Sequence, residues 1–189
     1  RETRRNHHSP QSSPMTPFTP LPPNEHGHIA RPASPFWIFG TFLFSYVLNI
    51  LGTTAQWFWL PDFFAITLVY WTVHQPRSVG MTVAFVCGIL MDVHNGNVLG
   101  QQPLAYVTLA FIAYSLHRRL PWFGLFGQAL HVLPILLVAQ VLVMLVRLWF
   151  DGLWPGFSWF LQSFTGALLW PLWSWLMSTP QRRSAADDL

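Results

Sequence analysis

The sequence predicts an all-α integral membrane protein with six transmembrane helices and both termini in the cytoplasm. Composition is the first reason: of 189 residues, 52% are hydrophobic, 16% aromatic and only 9% charged, against roughly 25% charged in an average soluble domain. The second is a series of apolar runs, each interrupted by turn residues or isolated charges. The third is that arginine and aspartate alternate from one interruption to the next.

Taken in order, residues 1–35 are polar and hold half of the sixteen prolines. They offer too few large apolar side chains to offset the entropy of ordering, so they read as a disordered, proline-rich cytoplasmic tail. Residues 36–178 form the membrane domain. Its first span, 36–59, has no charged residue and is long enough for a bilayer that takes about 20 helical residues to cross. Span 2 is expected over 61–73, span 3 over 78–91 and span 4 over 103–116. Span 5, over 125–150, is the longest and contains Pro134, which predicts a kink. Span 6 covers 157–177, and residues 179–189 form a short cytoplasmic C-terminal tail.

The charges support this count independently. Arg31 precedes span 1, Arg77 separates spans 2 and 3, Arg118 and Arg119 separate spans 4 and 5, and Arg182 and Arg183 follow span 6. Asp62, Asp92 and Asp151 occupy the alternate loops, which hold no arginine. Cytoplasmic loops are enriched in basic residues, so the arginine loops face the cytoplasm. Arg147 departs from the pattern and is expected to pair with Asp151 one helical turn later. The eleven tryptophans are expected near span ends, where indoles form interfacial belts.

Several function classes are disfavoured. There is no lysine, and the ten arginines are scattered between apolar runs, so no nucleic-acid-binding face is expected. Cys87 is the only cysteine and reads as a small apolar packing residue. No hydrolase, zinc-protease or phosphate-loop motif is present, so no catalytic, cofactor or metal residues are assigned. His26 and His28 lie in the tail. His131 in span 5, near Gln128, is an intramembrane polar group for which hydrogen-bonded packing is the expected role.

The stretch MDVHNGNVLG, residues 91–100, interrupts this pattern. Gly80, Ala84, Gly88 and Asp92 recur every four residues, with Gly96 and Gly100 beyond, giving a stripe of small residues that lets another helix approach closely in lipid. Asp92 then points into a helix–helix contact, within reach of backbone N–H groups in a turn containing Asn95, Gly96, Asn97 and Gly100. Two readings stay open: an anchor for the turn between spans 3 and 4, or a partner contact or proton-sensitive switch. An acid–base role would need a second convergent group, and His94 is the only neighbour in sequence.

The block PDFFAITLVYWTVHQPRSVGMTVAFVCGILMDVHNGNVLGQQPLAYVTLAFIAYSLHRR, residues 61–119, resembles the bacterial rod shape-determining MreD family. The matching features are the proline opening span 2, Tyr70-Trp71, Arg77 before a glycine-bearing helix, and Gly88 four residues before Asp92. Gly96, Gly100 and Tyr114 follow, and the likeness extends weakly through spans 5 and 6, including residues 166–175, so that it covers roughly residues 36–178. The resemblance implies a non-enzymatic component of the bacterial inner membrane that maintains cell shape. It also implies association with an MreC-like single-span protein and a complex with MreB, RodZ, RodA and a class B penicillin-binding protein, linking MreB filaments to lateral-wall peptidoglycan synthesis. The family is similar in architecture to the S components of energy-coupling-factor transporters, so a small-molecule-binding transporter subunit is the alternative. That alternative needs convergent polar groups, whereas the loops opposite the arginines offer mostly Trp, Phe, Gly and Asp.

Overall fold

The computed structural model describes residues 34–54, 57, 59–152, 154 and 156–186, with the side chains of 121, 151 and 179–186 excepted. Residues 1–33 of the expected 1–35 tail and the expected Arg147–Asp151 pair therefore lie outside the described residues, and Pro35 already belongs to the first helix. The described residues form six α-helices: α1 (Pro35–Thr54), α2 (Phe63–His74), α3 (Met81–Asn95), α4 (Gln101–Leu116), α5 (Leu125–Asp151) and α6 (Leu161–Ala186). Short 3-10 turns at Leu120–Trp122 and Phe157–Phe160 lead into α5 and α6. Among the described residues there is no strand.

The helix boundaries follow local chemistry. Asp62 opens α2, its carboxylate accepting from the N–H groups of Phe64 and Ala65, which would otherwise lack acceptors in the first turn. Gly96 closes α3 at φ 63°, a left-handed conformation that costs glycine nothing. Helix α5 continues through Pro134 as a single α-helix. Relative to the sequence-based spans, α1 ends earlier, α3 is displaced toward its C-terminal turn, and α6 runs on to Ala186.

Helix α2 is the centre of the bundle. Its residues 64–73 are all buried, and it packs against α1, α4, α5 and α6. A helix that is apolar all round has to be enclosed, and α2 has almost no polar stripe to turn outward. Helices α3 and α4 pack closely together, as do α4 with α5 and α5 with α6.

The exterior is the more telling surface. Trp149 is 86% exposed, Leu168 82% and Phe126 86%, while Asn49, Ser45, Thr67, Gln101 and Asp92 are buried. Soluble proteins rarely display so continuous an apolar surface; in a bilayer, that surface faces hydrocarbon and the polar groups find partners inside. Two helices, Pro35–Thr54 and Leu125–Phe150, are long and apolar enough to cross a membrane. Apolar exterior and polar interior together fit a membrane protein.

The tryptophan expectation requires a correction. Trp71 and Trp170 are fully buried, and their indoles serve the interior. Trp71 Nε1 donates to Thr41 Oγ1 at 2.8 Å, Trp173 Nε1 to Thr67 Oγ1 at 3.1 Å and Trp170 Nε1 to Gln128 Oε1 at 3.2 Å. A buried indole N–H needs an acceptor, and Thr and Gln on neighbouring helices supply one. Ser45 and Thr67 share a further bond of 2.6 Å between hydroxyls, so α1, α2 and α6 meet in one polar seam.

Candidate functional site: a polar cavity at one end of the bundle

Helices α1, α3 and α5 end where α2, α4 and α6 begin, and the buried polar residues Asn49, Asp92, Gln101 and Ser163 lie at this end. Asp92 has no exposed surface. Its Oδ2 accepts from Gly100 N at 2.8 Å, and the N–H of Gln102 reaches Oδ1 at 3.1 Å and Oδ2 at 3.3 Å. The carboxylate thus ties the last turn of α3 to the first turn of α4. One turn earlier, a Cβ placed on Gly88 would lie 2.4 Å from both Cα and N of Pro103, so the two backbones touch there. Ala84 is fully buried on the same side. Gly80, Gly96 and Gly100 have open space at Cα; Gly80 precedes α3 as its N-cap, and Gly96 and Gly100 carry positive φ.

Asp62 organises a second network that sequence reasoning counted only as a loop charge. Its Oδ1 accepts from Asn49 Nδ2 at 2.9 Å as well as from Phe64 N at 3.0 Å and Ala65 N at 3.1 Å. Its Oδ2 accepts from the Tyr106 hydroxyl at 2.6 Å. Asn49 Oδ1 in turn accepts from Phe63 N at 3.1 Å. One carboxylate therefore binds α1, α2 and α4. The available signal was Pro-Asp directly before an apolar run, the pattern of a helix N-cap.

A third cluster joins α5 to α6. Gln140 Nε2 donates to Trp159 O at 2.7 Å and to Gln162 Oε1 at 3.1 Å, and Ser163 Oγ donates to Gln140 Oε1. Beside it, Arg147 Nη2 donates to Asn97 Oδ1 at 3.0 Å, and its guanidinium carbon lies 4.7 Å from the Trp159 ring centroid, a cation–π distance. His94 is exposed and packs edge-on against Tyr46. His131 bonds Gly127 O at 2.8 Å and stacks on Phe123.

Between these networks lies a cavity of about 420 Å³, lined by Asn49, Asp62, Tyr106, Gln140 and Arg147 among others, with Met91, Leu136 and Val143 as apolar wall. Its size falls within the usual range of small-molecule sites. The expectation of mostly Trp, Phe, Gly and Asp concerned the loops alone, and the cavity adds polar groups that it did not count. The polar groups come from the helix ends, which the loop sequences alone do not reveal. Chemically, both carboxylates act as acceptors for structural donors.

Comparison with known families matches residues 31–179 to the one described as rod shape-determining protein MreD. The match spans every helix but the end of α6. The chain belongs to the MreD family. A relative of this MreD-family chain, the rod shape-determining protein MreD of Haemophilus influenzae, is 26% identical over 149 residues, covering 78% of this chain and 91% of the relative. No solved structure matches. Membership carries a role in rod-shape determination, and the apolar exterior accords with a membrane protein of that family.

Proposed function

We propose that the chain is a non-enzymatic, six-span component of the bacterial inner membrane that holds the elongation machinery together. In this reading both termini lie in the cytoplasm. An MreC-like single-span protein binds an outer helix face, and the complex with MreB, RodZ, RodA and a class B penicillin-binding protein couples filaments to lateral-wall synthesis. The observation that carries the proposal is the family match across almost the whole helical body. The broad apolar exterior supports it, because a single-span partner binds through packing in lipid. The test is a mild-detergent pulldown of the full chain with identification of co-purifying proteins. Recovery of an MreC-like protein is expected; recovery of transporter ATPase subunits instead would replace this reading.

That replacement is the second reading, a solute-binding transporter subunit, and the polar cavity is the observation that favours it.

A further inference from the structure

One end of the cavity holds side-chain N–H donors that have no acceptor. Asn97 Nδ2 and Trp159 Nε1 are both buried with no hydrogen-bond partner, and both residues line the cavity. They belong to one neighbourhood, because Arg147 bonds the other atom of the Asn97 amide and lies over the Trp159 ring. The orientation of that amide follows from the guanidinium, which can only donate and so turns Oδ1 toward itself and Nδ2 away. Of the guanidinium's five N–H groups, Asn97 takes one. Asp62, the carboxylate in the cavity wall, already accepts from four groups.

We propose that this cavity binds a phosphate ester with an apolar body. The phosphate oxygens accept from Arg147, Asn97 Nδ2 and Trp159 Nε1, while the apolar portion lies along Met91, Leu136, Ala139 and Val143, which line the same space. A guanidinium and two neutral N–H groups suit an anion with several terminal oxygens, since charge-assisted bonds to phosphate are the strongest that arginine makes. An intramembrane arginine marks a ligand or ion pathway by default, and here its surroundings supply the matching donors. The inference holds whichever assembly the chain serves, so the pulldown outcome does not bear on it.

The test uses the full chain purified in an uncharged detergent and follows thermal unfolding against three probes: dihexanoyl phosphatidic acid, inorganic phosphate and dihexanoylglycerol. Saturable stabilisation by phosphatidic acid and none by the uncharged glyceride is expected. Arg147→Gln should weaken that binding about tenfold or more, and Trp159→Phe, which keeps the ring and removes the N–H, about three- to tenfold. Arg77→Gln, at the opposite end of α2 and exposed, should leave it unchanged. If Arg147→Gln does not fold, Trp159→Phe carries the comparison. Stabilisation by phosphatidic acid alone identifies a lipid as the source of the phosphate; stabilisation by inorganic phosphate as well identifies free phosphate compounds. Phosphate probes no better than the glyceride, as an internal Arg147–Asp151 pair or water alone would give, overturn the proposal. So does wild-type affinity in both cavity variants.

Discussion

At the scale of single residues, the α3–α4 contact gives the sharpest expectations. The Cβ of even an alanine at Gly88 would sit 2.4 Å from the Pro103 backbone, and backbone cannot rotate away as a flexible side chain can. Gly88→Ala should therefore lower stability by about 1–3 kcal/mol and Gly88→Leu by more, read as a lower unfolding temperature in detergent; an unchanged temperature would mean that the helices do not meet there. Asp92→Asn keeps one oxygen to accept from Gly100 N or Gln102 N and should retain much of the stability. Asp92→Leu leaves both donors unpaired, at about 1–3 kcal/mol each. Equal damage from the two variants, with abundance and partner association intact, would assign the Asp92 charge a role beyond anchoring. Sequence alone shows a carboxylate in register with Gly88 and ahead of a glycine-rich turn, and the backbone N–H groups of that turn region are what it meets. Asp62 and Arg147 were not legible as centres of networks, because Tyr106, Asn97 and Trp159 are distant in sequence and only the fold brings them together.

At the scale of elements, six helices were legible from apolar runs and arginine placement, and the lengths that departed most were those of α1, which ends at Thr54, and α6, which runs to Ala186. Helix α2 has 12 residues, about 18 Å of helix, close to the expected length but starting two residues later because a carboxylate N-cap opens it. Its seam with α1 and α6 depends on Thr67, which accepts from Trp173 and shares a bond with Ser45. A double-mutant cycle of Thr67→Val with Trp173→Phe should give a coupling of about 0.6 kcal/mol, typical of interhelical hydrogen bonds in membrane proteins. Zero coupling would place the Trp173 N–H elsewhere. The interior tryptophans escaped sequence analysis because an indole near the end of an apolar run reads equally as an interface anchor or as a core residue; a threonine on a neighbouring helix decides between them.

At the scale of the whole molecule, the proposed topology makes a simple demand. Reporter fusions after Arg77, Arg119 and Arg183 should report cytoplasm and fusions near Gly96 and Gly156 the outside; an outside signal at Arg119 would dismiss the six-span arrangement. The inside-out distribution of polarity was legible as composition, since a chain with 9% charged residues has too few to cover a water-facing surface, but the cavity was not, since it is assembled from six helix ends. The enclosure of α2 also has a consequence for biogenesis. A segment of about 18 Å cannot span roughly 30 Å of hydrocarbon alone, and its opening carboxylate is neutralised as a burden only when Asn49 and Tyr106 donate to it. Insertion of α2 is therefore tied to α1 as a hairpin and completed only when α4 arrives, which makes α2 settle later than its place in the chain order and, once enclosed, the slowest helix to exchange its amide hydrogens.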